Sequence, residues 1–221
     1  MNKKILALAM VPLLIGLSGA MAFSQFTGTD VKTITASAGT FSMTESAAVA
    51  GYYASSPSQL SVVGSVESGQ SAVTWTPSSS SNELGTVALS AGESSMTYTI
   101  TISNIAPSEW VNITFALVNT GSLSVTLSPG TAATGVSPSN LGPASVVPAS
   151  DFMTTGTPLS PSVSGWVYSI YGETALNGLT LTPTGTGNTA MFSVGIGLGQ
   201  ANNNFEGSSF TFIINISLSA E

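Results

Sequence analysis

Apolar and polar residues alternate through most of this chain. Met96, Tyr98, Ile100 and Ile102 stand between Thr97, Thr99, Thr101 and Ser103. Val111, Ile113, Phe115 and Leu117 alternate with Asn112, Thr114 and Ala116. Leu123, Val125 and Leu127 do the same with Ser122, Ser124 and Thr126, and Phe192, Val194, Ile196 and Leu198 with Ser193, Gly195 and Gly197. The longest stripe lies near the end of the sequence: Phe210, Phe212, Ile214, Ile216 and Leu218, with Thr211, Ile213, Asn215 and Ser217 on the other parity. A period of two marks a strand with one buried face. Weaker patterns predict strands over 31–44, 60–66, 72–76, 86–90, 163–171 and 178–182. Thr76-Pro77, Ser128-Pro129-Gly130 and Asn177-Gly178 supply turn signals between strands. No stretch after Ala22 holds a helical period with caps.

Strands with one wet and one dry face pack as antiparallel sheets laid face to face. The expected fold is therefore all-β: an Ig-like or jelly-roll-type antiparallel β-sandwich of about ten strands, forming a single domain over 39–221. Residues 128–165 escape the pattern, being rich in proline, glycine and serine. That stretch reads either as a contact surface or as two short strands that alternation misses.

The beginning of the chain reads differently. Asn2-Lys3-Lys4 precedes an apolar run, Ile5 to Leu17, broken by Pro12 and Gly16. Ala20-Met21-Ala22 fits a small-x-small cleavage site. The expectation is a secretory signal peptide over 1–22, cut between Ala22 and Phe23. The rival is an uncleaved anchor, since Ile5 to Ala22 reaches the lower length of a membrane span.

Charge sharpens this picture. The chain holds three Lys+Arg against ten Asp+Glu, and charged residues make up 6% of it, where soluble domains carry about 25%. Lys3 and Lys4 belong to the leader, which leaves Lys32 as the one basic side chain of the mature protein. Ser, Thr, Asn and Gly must wet the surface. Nucleic-acid binding is excluded for want of a basic patch. Few ion pairs exist for acid to break, so the composition also suits an acidic habitat. The hydrophobic fraction of 43% sets the chain apart from disordered sequences.

Composition removes most catalytic chemistry. With no His and no Cys, histidine bases, thiol nucleophiles and zinc sites are excluded. Neither Asp30 nor Asp151 sits in an aspartic-protease context. Glutamate pairs for glycoside hydrolysis stay open, but no motif singles any out, and the expectation is a protein that is not an enzyme and takes no cofactor. Asn112-Ile113-Thr114 and Asn215-Ile216-Ser217 are N-glycosylation sequons. Both asparagines fall opposite an apolar stripe, so both are expected to face solvent and to carry covalent N-glycans. Lys32 is either a solvated lysine or one end of an isopeptide crosslink.

Residues 23–38 are expected to form an extended, Thr-rich arm. A lone strand has unpaired edges that must be covered or used. Phe26, Ile34, Ala36 and Ala38 share one parity, with Val31 on the other, and burying Phe26 and Ile34 in a neighbour would contribute about 1.5–3 kcal/mol each. Such an arm is expected to act as a donor strand, completing the sandwich of the next copy by main-chain pairing. The contact is heterologous and grows into an open filament. The strand bearing Phe210, Phe212, Ile214, Ile216 and Leu218 is expected to flank the acceptor groove, because so long a stripe needs a cover. The alternative is that the arm folds back as the domain's own edge strand.

Ala22-Phe23-Ser24, followed by the run from Ile34 through Ala38-Gly39-Thr40-Phe41 to Met43, resembles the start of TasA/camelysin-like secreted β-proteins. The whole profile is similar to archaeal thread and bundling-pilus subunits. That resemblance implies an N-terminal donor strand inserted into the next subunit, with heavy glycosylation. The metalloprotease label attached to some camelysin-like proteins does not transfer to a chain without histidine. The expected protein is thus an extracellular, cell-surface filament subunit that supports adhesion or biofilm. Its partner is itself, head to tail, and neighbouring filaments in bundles; it meets a membrane only through the leader. The rivals are a monomeric adhesin or envelope-binding module, a membrane-anchored surface protein, and a secreted hydrolase.

Overall fold

Each strong stripe of the sequence is a strand whose apolar side chains turn inward. The computed structural model describes residues 39–55, 60–66, 73–75, 83–88, 94–160 and 162–220. The leader, the Ala22–Phe23 cleavage position and the arm with Phe26, Val31, Lys32, Ile34, Ala36 and Ala38 lie outside the described residues.

Thirteen strands stand among the described residues. They are β1 (Met43–Tyr53), β2 (Ser61–Val66), β3 (Val73–Trp75), β4 (Glu83–Ala88), β5 (Ser95–Ser103), β6 (Trp110–Asn119) and β7 (Val125–Pro129). There follow β8 (Ala133–Ser137), β9 (Ser145–Val146), β10 (Trp166–Tyr171), β11 (Thr180–Leu181), β12 (Thr189–Leu198) and β13 (Ser209–Ala220). Six form one sheet in the order β4-β1-β6-β12-β10-β9. The other runs β11-β7-β13-β5-β2-β3, and β8 joins β13 beside β7. All ladders within the sheets are antiparallel except the short β9–β10 pair. The chain is an all-β sandwich, and the residues from Gly39 onward form one compact unit.

The core lies between the sheets because the strands alternate. Met96, Tyr98, Ile100 and Ile102 of β5 face Ile113, Phe115 and Leu117 of β6 and Phe192, Val194 and Ile196 of β12, all buried. At its centre Phe115 stacks on Phe192 at 4.7 Å between ring centroids, and the Tyr98 ring stands edge-on to both. Such offset and edge-to-face pairs add to the burial of aromatic area. Toward one end Trp166 stacks on Phe210 at 5.6 Å, and its indole Nε1 donates to Ser208 Oγ at 3.1 Å.

Two differences from the sequence reading have physical causes. The predicted strand over 31–44 meets β1 only at Met43 and Thr44; its first part lies outside the described residues, and 39–42 lack strand structure. β1 continues to Tyr53 through Glu45, Ala47 and Val49, its inward positions. A buried carboxylate and small side chains hide that alternation. The irregular 128–165 segment does contain two short strands, β8 and β9. β8 is almost wholly exposed, so it carries no apolar stripe for a pattern to reveal.

Candidate functional site

The body has two ends, and β6 runs from one to the other. At the tail pole, where β6 ends, residues 39–42 lie along the β6–β7 turn. Ser122 N donates to Thr40 O at 2.8 Å, and Thr120 N and Gly121 N both donate to Ser42 O at 3.0 Å. Thr40 N in turn donates to Ser122 Oγ at 2.7 Å. Gly121 is needed there, since a Cβ would overlap Thr40 O. Asn119, 1% exposed, organises this pole. Its Nδ2 donates to Leu123 O at 2.8 Å and Leu181 O at 3.0 Å, while its Oδ1 accepts from Gly121 N at 3.0 Å.

At the head pole, the β5–β6 turn meets the β12–β13 connection. Asn104 and Ser108 take left-handed backbone angles in that turn, with φ of 57° and 71°. The Glu109 carboxylate, 1% exposed, ties the turn down. Its Oε1 accepts from Ser55 N and Ser55 Oγ, and its Oε2 accepts from Ala106 N at 2.8 Å. Between the two connections opens a hollow of about 620 Å³. Ile105, Leu198 and Phe205 line it with hydrocarbon, and Asn202, Asn203 and Glu206 contribute polar groups. Nothing in the alternation of the strands pointed to this hollow, because it is built from the loops that join them.

The expected acceptor groove along β13 is not open in this structure. Phe210, Phe212, Ile214, Ile216 and Leu218 are all buried in the domain's own core. Both edges of the strand are taken: β5 pairs with it from Ser209 to Ser217, while β8 and β7 share the opposite edge. The long stripe already has its cover, which is the facing sheet.

The two sequons part company. Asn215 is exposed on β13, and its Nδ2 donates to Thr97 Oγ1 at 3.0 Å. Asn112 is only 9% exposed, against the expectation that it faces solvent. The cause is a strap, residues 147–160, laid across the outer face of the six-stranded sheet. Phe152, Leu159, Trp110 and Val167 make a second small core there. Gly195 and Gly197 are its seats: a Cβ at 195 would overlap the Phe152 ring, and one at 197 would come within 2.6 Å of Leu159 Cδ1. Trp110 Nε1 donates to Thr157 O at 2.7 Å, and Leu159 N donates to Ser108 O at 2.9 Å. The isolated Phe152 and Leu159, among Ser, Thr and Pro, and two glycines on an apolar strand were the available signals of this cover.

Beside Asn112 the same face holds polar side chains. Thr114 and Ser193 share a hydroxyl hydrogen bond of 2.8 Å. Burial raises the Tyr171 phenol above its ordinary value, partly offset by the side chains of Ser193 and Asn112. Neither Asn112 Oδ1 nor Tyr171 Oη completes a hydrogen bond of good geometry. Among the described residues no three His, Cys, Asp or Glu side chains gather into a group that could hold a metal ion.

The outer face of the other sheet is open and hydroxyl-rich. Ser95, Thr97, Thr99, Thr101 and Ser103 of β5 lie opposite Ser217, Asn215, Ile213, Thr211 and Ser209 of β13. Thr101 and Thr211 share a hydrogen bond at 3.1 Å, and Thr126 of β7 shares one with Thr180 of β11 at 2.8 Å. These ladders carry no charged side chain.

Comparison with known proteins gives no match to any family model, curated protein or solved structure.

Proposed function

We propose that this chain is the structural subunit of an extracellular filament, joined head to tail through residues 23–38 of each copy. The position of Gly39 supports this reading best. Hydrogen bonds hold residues 39–42 at the tail pole, so the point at which residues 23–38 are joined to the body lies at that pole. The adjoining strand cannot recruit it as a partner, because β1 is already paired with β4 on one edge and β6 on the other. A segment released at a pole is well placed to join a body beyond that pole, and repetition of such a heterologous contact builds an open filament.

In this reading the protein is secreted by way of its leader and carries a glycan at Asn215. The uncharged hydroxyl face of β5 and β13 serves lateral contact between filaments, since no like charges oppose there. No residue is assigned a catalytic role. The experiment is to produce the mature chain from Phe23, with and without residues 23–38, and inspect both by negative-stain microscopy. Fibres from the longer chain alone are expected; fibres from both would remove the donor role.

A second reading, a monomeric envelope-binding module, draws support from the hollow at the head pole, whose mix of Phe205, amides and a carboxylate suits a small polar ligand. It requires both chain lengths to remain monomers.

A further inference from the structure

We infer that the hollow at the head pole binds a neutral saccharide unit, with the Phe205 ring against its C–H face and the amides of Asn104, Asn202 and Asn203 on its hydroxyls. This gives the ligand of the second reading a chemical class, and it rests on that reading for the hollow being a ligand seat. It uses residues of one folded copy, so it holds whether copies stay apart or join.

The walls of the hollow are fixed before any ligand arrives. On one side the β5–β6 turn is stitched to β12: Ser108 N donates to Leu198 O at 2.6 Å, and Leu198 N donates to Glu109 O at 3.0 Å. The buried Glu109 carboxylate holds the same turn through Ala106 N and through Ser55. On the other side stands one short 3-10 turn, Asn203–Phe205. There Phe205 N donates to Asn202 O at 3.1 Å, and Glu206 N donates to Asn203 O at 3.2 Å. Asn202 Oδ1 accepts from Asn204 N at 3.0 Å, which fixes the orientation of that amide and commits its oxygen. Phe205 is half-buried, with its ring packed against the core. Walls already in place spare a ligand the cost of ordering them.

The lining decides between classes of ligand. A volume of about 620 Å³ lies within the range of small-molecule sites, about 300–1,000 Å³. The three amides each offer an acceptor and a donor group, and a sugar hydroxyl both donates and accepts. Ile105, Leu198 and Phe205 supply hydrocarbon for the C–H face of a pyranose ring. A lipid chain would displace water from the amides without replacing its hydrogen bonds. An anion would find no cation, because residues 39–220 hold no Lys, Arg or His, and Glu206 would repel it. A cation would find the exposed Glu206 carboxylate alone, where solvent leaves an ion pair little strength; the Glu109 carboxylate is already committed to its own donors. An uncharged ring with hydroxyls on its rim fits every part of the lining.

The test uses the mature chain from Phe23, made in a host that does not glycosylate, and saturation-transfer NMR, which reads weak binding to monomers and fibres alike. The probes are the methyl glycosides of glucose, mannose and galactose, with methyl glucuronide and choline as charged contrasts. At least one neutral glycoside is expected to bind with a Kd of about 1 mM, and the glucuronide about tenfold more weakly or worse. Asn104→Gly removes an amide and suits the left-handed angle there. Phe205→Leu keeps the hydrocarbon and removes the ring. Each is expected to weaken neutral binding about five- to tenfold. Glu206→Gln is expected to leave neutral binding within about twofold.

No binding of any neutral glycoside at about ten times that concentration would overturn the site, as would binding that both Asn104→Gly and Phe205→Leu leave unchanged. Choline bound more tightly than every neutral glycoside, and lost in Glu206→Gln, would overturn the neutral class. Protein from a glycosylating host separates two sources of the sugar, and either keeps the site. Association between copies that the bound glycoside disperses and Asn215→Gln removes would name the glycan of another copy; without it the source is a saccharide outside the protein. Fibres from the longer chain alone, in the deletion test above, would remove the monomeric reading and leave the hollow to its own result.

Discussion

The two outer faces of the sandwich begin from the same kind of sequence and end in opposite states. β13 and β5 present Thr, Ser and Asn outward, and the face stays open. β6, β10 and β12 also carry polar or small residues on their outer parity, yet much of that face is closed by the strap. The difference lies in Gly195 and Gly197, whose missing side chains admit Phe152 and Leu159, and in Trp110 and Val167, which give those two apolar company. Asn112 and Asn215 measure the outcome. They share a motif and a place opposite an apolar stripe, and only Asn215 is exposed. Alternation therefore shows which way a side chain points from its sheet, while the chain elsewhere decides whether that direction is solvent.

The comparison is broken most forcefully at the strap. Phe152→Ala empties the seat over Gly195 and is expected to cost about 3–5 kcal/mol, read by chemical denaturation. If folding survives, amide hydrogen exchange around Asn112 should accelerate while that around Asn215 stays as it was. Unchanged exchange at Asn112 would mean that the strap does not shield it. A sharper version, with little effect on stability, uses a host that glycosylates. Asn215→Gln is expected to remove the glycan mass from the folded protein, and Asn112→Gln to leave the mass of the intact protein unaltered apart from the substitution itself. Glycan on Asn112 would show that modification precedes closure of the strap.

The smallest effect concerns Tyr171. Its pKa is raised from 10.0 by burial, so the folded state favours the neutral phenol. Its contribution to stability is full below pH 10 and is lost as pH rises through the higher folded value. Tyr171→Phe should flatten that alkaline decline in a series of denaturant melts, and an unchanged decline would place its cause elsewhere.

Much of the fold was legible because burial and period coincide. β5, β6, β12 and β13 each expose one parity to the facing sheet, and their apolar stripes mark them without ambiguity. β1 was obscured by Glu45 at an inward position, and β8 by being almost wholly exposed. The site was less legible than the strands. The hollow is assembled from two connections 90 or more residues apart in sequence, Asn104–Pro107 and Ala201–Gly207, and no local pattern brings those together. The strap was hidden for a related reason: Phe152 and Leu159 are single apolar residues whose seats lie on strands distant in sequence. The β13 stripe is covered within the domain by the facing sheet, so its length alone does not identify a missing partner.

The stitching of residues 39–42 to the β6–β7 turn also has a mechanical side. A pull on the chain ahead of Gly39 is delivered first to the hydrogen bonds at Ser122, Thr120 and Gly121, and then along the axis of β1. That strand is held on both flanks by antiparallel ladders to β4 and β6. Load applied lengthwise must slide many bonds at once, where a peeling load would open them one after another. The body is thus arranged to bear tension applied along the axis of β1.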